Sequence, residues 1–534
     1  MSEHIAKARF RIGGLLPAAL FFSLSLLPLP ALAQDQPKKG GTMVMVATGD
    51  PGQFNIAIST NGLPRRVSGN IFSGLTFIGE DLTAQPDLAT TWETPDDGKT
   101  WTFHLAQGVH WHDGAPFSSA DVKYSFEEVL IKYHPTTRAG LADLLESIET
   151  PDDHTVVFHF NRPYAPLPLR LGNIDAPILP KHLYEGTDPL TNPANQTPVG
   201  TGPFKLGAYN KGSSVELVRN DNYFKEGLPY LDRLVLSIVP DASQQVAALL
   251  QGELDYIPAV SPAFVKTLEA NPNITLKPTI SNGHGALNCQ NLMTYNIRGN
   301  KHLADKTVRQ ALAYAIDRER IVEQVTFGQA KVATGPIASA FDWARPADLP
   351  SYTHNPAKAN ELLDSAGKVR GDDGLRFSLS MHTTASNNAL VEIVKENLAE
   401  VGINLEVNIV DGNAANEAVF VTHAADLGIW GSCNASDPDI GIPPLYVSTN
   451  IYDSIGANTA GYDNPALDAE FRAAASTTDM AVRAQHYQNV VRILVEDMPY
   501  LWLFEQRNIS ALNARLRDVS NWSANQAERA WFSD

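Results

Sequence analysis

Apolar and polar residues alternate along short segments of the chain, which is the pattern of strands with one buried face. Within residues 197–258 the alternating apolar positions are Phe204, Leu206, Val215, Leu217, Leu234, Leu236 and Ile238. A helix is predicted after them, because Val246, Leu249 and Leu250 have helical spacing and Gly252 ends the pattern. We therefore predict three strands followed by a helix that buries these three side chains.

Elsewhere the same alternation predicts strands at residues 42–47, 101–105, 155–160, 275–278, 292–296 and 425–430. The helix predicted at residues 304–325 has one continuous apolar face, formed by Val308, Leu312, Ala315 and Ile316. A strand, a helix and a parallel strand are predicted in turn at residues 375–381, 389–401 and 403–410. Strands that alternate with helices in this way indicate an α/β fold.

The segment around Asp113-Gly114 combines a tight turn with a helix start. Ser118 and Asp121 have the spacing of a capping box, so a helix is predicted to begin there. His110 and His112 could point the same way on a strand and suggest a metal site. A metal needs three or four ligands, and no third ligand lies nearby, so we interpret both as half-exposed histidines and expect no cofactor.

Several motifs resemble the family-5 extracytoplasmic solute-binding proteins of ABC importers, which bind dipeptides, oligopeptides and nickel chelates. The order and spacing of these motifs carry the resemblance, which extends from about residue 40 to the end. They are Asp113-Gly114 with Ala120-Asp121-Val122, Thr201-Gly202-Pro203-Phe204, Arg219–Phe224, Gly252–Asp255 and Val308–Arg318. The resemblance implies a two-lobed α/β clamshell with an extra subdomain in the first lobe.

The family architecture divides the chain into six segments. After a signal peptide at residues 1–33, the first lobe takes residues 34–75, 197–282 and 499–534, and the extra subdomain takes residues 76–196. Residues 283–498 form the second lobe, and the chain is expected to cross to it near Ser281–Gly285. Several crossings between two lobes make a hinge.

The first 33 residues have the features of a secretory signal. Three basic residues precede an apolar run, and Ala31-Leu32-Ala33 is a cleavage motif. Without a cysteine after Ala33, the sequence predicts a free periplasmic protein. Removing the signal takes the net charge from −18 to −20, because the signal carries three basic residues and one acidic residue. So acidic a surface excludes nucleic acid as a partner; the expected partners are a small-molecule or peptide ligand and the permease subunits of the inner membrane, and we expect a monomer.

Two cysteines, Cys289 and Cys433, leave one question open. An oxidising periplasm permits a disulfide, but only if the two Cα atoms come within about 7 Å. A bridge and two separate thiols are both compatible with the sequence.

Other functions are less consistent with the sequence. Ser365-x-x-Lys368 matches a nucleophile motif but includes a helix-ending glycine, and no other hydrolase motif occurs. We therefore predict that the protein is not an enzyme, although a cleft could assemble residues from distant positions. A sensor role by docking on a chemoreceptor stays open.

The resemblance also places candidate ligand-binding residues. Peptide-binding relatives pair the ligand amine with the aspartate of a Trp-x-x-Asp motif, but here Cys433 follows Trp430 at that spacing. The run 382–388 also lacks the arginine that binds a dipeptide carboxylate. A buried charge without a partner is costly, so these losses argue against a dipeptide held by its two ends. The ligand-binding residues we predict are Trp430, Cys433, Asn434, Asp437, Phe72, Phe54, Asn296 and His382.

Two alternatives remain at this site. Asp437 and Asp439 could bind a displaced amine, or Asp437-Pro438-Asp439 could only shape the loop while Trp430 packs in the core. Ligands consistent with the sequence are a longer peptide held through its backbone, an opine, a glycoside, a modified amino-acid conjugate or a metal chelate.

Overall fold

Two mixed β-sheets organise the part of the chain that the structure describes. The computed structural model describes residues 36–59, 62–79, 81–95, 98–279, 289–453, 456–520 and 527–534. The predicted signal peptide and the crossover expected at Ser281–Gly285 lie outside these ranges. Residues 37–534 belong to one compact unit.

The strands, in chain order, are β1 Thr42–Ala47, β2 Thr76–Ile78, β3 Ala84–Pro86, β4 Ala89–Glu93, β5 Thr100–Leu105, β6 Leu145–Asp152, β7 Thr155–Phe160, β8 Phe204–Asn210, β9 Ser214–Arg219, β10 Arg233–Ile238, β11 Tyr256–Ile257, β12 Ile274–Thr279, β13 Cys289–Tyr295, β14 Ala330–Val332, β15 Phe377–Thr383, β16 Ile403–Ile409, β17 Leu427–Cys433, β18 Tyr500–Gln506, β19 Asn508–Asn513, β20 Leu516–Arg517 and β21 Trp531–Phe532. The α-helices are α1 Gly62–Ser68, α2 Ser119–Tyr124, α3 Ile131–Tyr133, α4 Pro135–Leu141, α5 Leu167–Arg170, α6 Lys181–Tyr184, α7 Ala242–Gln251, α8 Val265–Glu269, α9 Lys306–Ala315, α10 Arg318–Val325, α11 Pro356–Ser365, α12 Asn388–Glu400, α13 Gly412–Asn416, α14 Pro438–Gly441, α15 Pro465–Ala475 and α16 Met480–Asp497.

The first sheet has seven strands in the order β12-β19-β11-β1-β10-β9-β8. The three strands and the helix predicted in residues 197–258 are present as β8, β9, β10 and α7. Helix α7 ends at Gly252, whose φ of 78° is left-handed. Val246 and Leu249 are buried as predicted, but Leu250 is 40% exposed because it lies on the solvent side of the helix.

The second sheet has six strands in the order β14-β18-β13-β17-β15-β16. The predicted strand–helix–strand unit is confirmed, since β15 and β16 pair in parallel and α12 connects them. The helix predicted at residues 304–325 is two helices, α9 and α10. The break occurs at Ile316, whose ψ of 123° is extended, and Asp317 caps α10 by accepting a hydrogen bond from Arg320 N.

Sheet pairing corrects one predicted boundary. Residues 499–534 were assigned to the first lobe, but β18 pairs with β13 and β14 in the second sheet. The return to the first sheet begins with β19, which pairs with β11 and β12. The apolar sequence of β18 gives no sign of this, because a central strand is buried on both faces in either sheet.

A separate four-stranded antiparallel sheet, β4-β5-β7-β6, forms the core of the predicted extra subdomain. Ser118 and Asp121 form the predicted capping box at the start of α2. His112 connects this region to the first lobe, because Gly200 N donates to Nδ1 and Nε2 bonds to Gly202 O. Burial lowers the pKa of His112 to about 4.

Close backbone approach explains Gly200 in this connection. A Cβ at Gly200 would lie 1.9 Å from Ile71 O, a distance that no side chain tolerates. The glycine therefore lets residues 197–203 pass against the chain that precedes Phe72.

Apolar side chains form a separate core in each lobe. One cluster joins the first sheet to the subdomain and includes Phe103 and Leu234, while another fills the second lobe around Leu312 and Val491. A smaller third cluster lies under α7 and α8. Two distinct cores connected by a few chain crossings are typical of lobes that move as rigid bodies.

Candidate functional site

The chain crossings identify the edge of each sheet that faces the other lobe. The chain leaves β12 at Thr279 and enters β13 at Cys289, and it passes directly from Gln506 in β18 to Asn508 in β19. The start of β13 and the end of β18 therefore lie at this interlobe edge. Since β17 is antiparallel to β13 and parallel to β15, the carboxyl ends of β15 and β17 lie there too.

In the first sheet the same argument selects the end of β1. Strand β1 is parallel to β11, and β11 is antiparallel to β19, whose first residue lies at the crossing. The loop that follows Ala47 therefore lies at the interlobe edge. Carboxyl ends of strands in α/β sheets are where ligands bind, so the space between these two edges is the candidate site.

Two predicted residues present side chains at the second lobe's edge. Trp430 lies in β17 opposite Leu292, is half-buried, and packs edge-to-face on Phe420 with ring centroids 5.5 Å apart. His382 lies near the end of β15 and is also half-buried. Its Nδ1 is enclosed and has no hydrogen-bond partner among the described residues. A partly exposed indole and an imidazole with a spare nitrogen can contact a ligand.

Cys433, the third predicted residue, forms a disulfide with Cys289. The two residues are direct cross-strand partners at the ends of β17 and β13, with Cα atoms 3.9 Å apart. The bridge resolves the question that the sequence left open. It also means that no free thiol lies at the position where the motif of the relatives has an aspartate.

Asn434 has a structural position rather than an exposed one. Its side chain is 3% exposed, its Oδ1 accepts from Ala338 N at 2.8 Å, and its Nδ2 donates to Pro336 O at 3.1 Å. Both polar groups of the amide thus hold the loop at residues 336–338. We therefore leave Asn434 out of the proposed ligand contacts.

Asp437 forms a buried ion pair. Arg483 of α16 donates to both carboxylate oxygens, at 2.8 and 3.0 Å, and the two side chains are 3% and 5% exposed. Asp437 also caps α14 by accepting from Asp439 N. Because its charge is already compensated, Asp437 offers no free carboxylate for a ligand amine.

Phe54 and Phe72 lie inside the first lobe. Phe54 is 0% exposed and packs edge-to-face on Tyr209 at 5.3 Å, and Phe72 is 1% exposed in the same apolar cluster. Both were predicted as ligand contacts. Their rings are part of the core, so they support the loops of the cleft without forming its surface.

Asn296 lies at the wrong end of its strand for a cleft residue. It follows Tyr295, which pairs with Leu427 at the start of β17, whereas Cys289 pairs with Cys433 at the interlobe edge. Along β13 this places Asn296 roughly 23 Å from that edge, at ~3.3 Å per residue. Its amide instead closes a turn by accepting from Gly299 N and donating to His423 O. The sequence placed it at a strand end but not at which end.

Sequence reasoning missed two buried polar residues at the same edge. Gln290 Nε2 donates to Gly335 O at 3.1 Å, and Glu505 accepts hydrogen bonds from Ser339 N and Oγ. Together with Asn434 they fix residues 335–339 against β13, β17 and β18. A polar residue within an otherwise apolar strand was the available signal for both.

Neither metal chemistry nor a second cavity explains the predicted residues. Among the described residues, no group of three or more His, Cys, Asp or Glu side chains could hold a metal ion. A half-open pocket of about 650 Å³ lies elsewhere in the second lobe and is lined by residues such as Arg318, Tyr352 and Trp502. It includes none of the predicted site residues. Within the described ranges, no helix is both long and apolar enough to cross a membrane.

Comparisons with known proteins agree with this geometry. Residues 83–453 match the family described as bacterial extracellular solute-binding proteins, family 5. The oligopeptide-binding protein AppA of Bacillus subtilis is 30% identical over 507 residues, covering 90% of this chain and 89% of AppA. The structure of that protein with a nonapeptide superposes with a TM-score of 0.76 and 27% identity, covering 93% of this chain and all of the other. NikZ of Campylobacter jejuni in complex with Ni(L-His) gives 0.77 and 25%, covering 90% of this chain and 96% of NikZ.

Proposed function

Since the chain belongs to the bacterial extracellular solute-binding proteins of family 5, we propose that it captures a peptide or peptide-like solute between its lobes and delivers it to an ABC permease. The observation that carries this proposal is the pair of sheets whose carboxyl strand ends face each other across the chain crossings. A ligand there is enclosed from both sides, and only the ligand-loaded form then presents both lobes together to the permease.

The proposal extends to location and assembly. A cleaved signal would place the mature chain in the periplasm as a monomer, with the acidic surface keeping nucleic acid away. A permease with basic loops would attract the same surface over about 8 Å at physiological ionic strength. We also infer binding without chemistry, since Ser365, the candidate nucleophile, donates its hydroxyl hydrogen to Leu362 O at the end of α11.

The charges at the site favour a ligand held through neutral hydrogen bonds. The disulfide at Cys433 and the ion pair at Asp437 leave these two positions unable to balance an ammonium group. Trp430 offers a flat apolar face for a side chain or a sugar ring. A peptide gripped along its backbone fits this arrangement better than a free dipeptide gripped by its amino terminus.

A binding screen tests the proposal. Purified mature protein would be examined by thermal shift and then calorimetry against peptides of several lengths, each with a free and an acetylated amino terminus. Opines, sugars and nickel chelates form the comparison set. Peptide binding that survives acetylation is expected, and mass spectrometry should return the bound peptide unchanged.

Two results would count against the proposal. Tight binding of a non-peptide with no response to any peptide would assign a different solute to the same cleft. Conversion of the bound ligand into a product would replace the binding role with an enzymatic one.

A further inference from the structure

The two lobes also contact each other away from the chain crossings. Ser436 Oγ donates to Leu169 O at 3.1 Å, and Ala165 N donates to Ala475 O at 2.9 Å. Leu169 and Ala165 belong to the segment that follows the subdomain sheet, whereas Ser436 and Ala475 belong to the second lobe. Ala475 also packs against the apolar cluster of the first lobe. The contact therefore joins surfaces that must separate if the lobes open.

Charged groups strengthen the same contact. Arg170 and Tyr164 of the first lobe are 4% and 3% exposed, and Arg170 Nε donates to the Tyr164 hydroxyl. Both groups stabilise the ionised carboxylate of Asp439 in the second lobe. Burial acts in the opposite direction and raises the pKa of Asp439, so the carboxylate depends on these partners for its charge.

Two neighbouring acids thus interact with arginines from different lobes. Asp437 pairs with Arg483 inside the second lobe, and Asp439, two residues further on, interacts with Arg170 of the first lobe. The first pair shapes the loop whatever the lobes do. The second interaction exists only while the lobes are together, because its two sides belong to different rigid bodies.

We propose that Arg170, Tyr164 and Asp439 are positioning residues that hold the lobes together in the absence of ligand. The proposal rests on the solute-binding function described above and adds a determinant of affinity that does not touch the ligand. When only the closed form binds tightly, the apparent dissociation constant rises as the closed fraction falls. Losing the interlobe contact should therefore weaken binding of any ligand.

Small-angle X-ray scattering of the ligand-free mature protein tests this directly. Asp439→Asn is expected to raise the radius of gyration by about 1 Å from the roughly 23 Å of a compact chain of this size. The matched control is Asp468→Asn, another buried acid of the second lobe, which accepts from Ser448 of its own lobe. The control should leave the radius unchanged, and Asp439→Glu should restore the native value.

An unchanged radius in Asp439→Asn would overturn the proposal, as would an equal rise in Asp468→Asn. If Asp439→Asn does not fold, Ser436→Ala removes only the hydrogen bond to Leu169 and should give a smaller rise, with no change again contradicting the proposal. No ligand is present in these measurements. Their failure is thus separate from a failure of the peptide screen, which would contradict the solute-binding proposal instead.

Discussion

Individual side chains at the interlobe edge divide into those that hold the protein together and those that remain available to a ligand. Asn434, Asp437 and Glu505 are buried, and their polar atoms are committed to neighbouring loops or to an arginine. Trp430 and His382 are half-buried and keep surface at the same edge. Residue type alone could not separate these groups, because an asparagine or an aspartate is equally suited to a cap, an ion pair or a ligand.

Trp430 is the residue whose loss should weaken ligand binding most clearly. Changing Trp430 to Ala removes a large apolar contact and should reduce affinity by about 2 kcal/mol or more. Isothermal titration calorimetry with the tightest peptide from the screen measures the effect. Trp92, a half-buried tryptophan stacked on Phe103 in the subdomain, provides the control, since Trp92→Ala should leave affinity unchanged. Reduced stability with native affinity in Trp430→Ala would place this residue in the core.

Asp87 should make stability depend on pH. Burial raises its pKa to about 6, with Glu528 adding to the rise and Lys225, 2.8 Å away, opposing it. A carboxyl whose folded pKa is raised contributes stability that is complete below its unfolded value near 3.8 and is lost as pH rises through about 6. The wild type should therefore gain stability over Asp87→Asn, on the order of 2–3 kcal/mol, as pH falls from neutrality to about 4.

Denaturant unfolding of both proteins across this pH range measures the difference. Comparing the two proteins cancels most of the titration of other groups. A stability difference that does not change with pH would show that Asp87 is not buried with a raised pKa.

At the scale of elements, the interlobe edge of the second sheet is reinforced by one covalent link. The disulfide joins β13 and β17 at the point where the chain enters the lobe. It fixes the strand that carries Trp430 relative to the strand that follows the crossing. Every ligand contact proposed on β17 depends on this registration.

Replacing both cysteines with serine should destabilise the protein by about 2–5 kcal/mol, because the cross-link restricts the unfolded chain. Chemical denaturation with and without a reductant measures this. The wild type should lose stability in reductant, while the double variant, which has no bridge to reduce, serves as the control and should not respond. Equal stability of the oxidised wild type and the variant would contradict a structural role for the bridge.

Elements with strong local signals were predicted from sequence, whereas their partners were not. The capping box at Ser118 and the strand–helix–strand unit around α12 depend on nearby residues, and both are present. The break at Ile316 was missed because its apolar side chain continues the helical pattern, while the capping role of Asp317 is visible only in the folded chain. The placement of β18, the end of β13 on which Asn296 lies and the pairing of the cysteines all depend on strand order, which no local pattern specifies.

For the whole molecule, a discontinuous first lobe explains how the protein can close on a ligand. Strands from both ends of the chain share the first sheet, so residues 289–506 form a lobe inserted between them. Closure is then a rigid-body motion about the crossings, and a ligand can favour it only by binding the closed form more tightly. The cores of both lobes stay intact in this motion.

Hydrogen–deuterium exchange with saturating peptide tests the central claim that the solute binds between the two lobes. Binding should slow exchange at the end of β1 and in the loop after Ala47, and equally at the end of β17 from Trp430 to Asp439. Amides at the far end of the second sheet, near Asn296, should exchange as in the free protein. Protection confined to one lobe, or centred on the pocket lined by Arg318 and Trp502, would contradict the account.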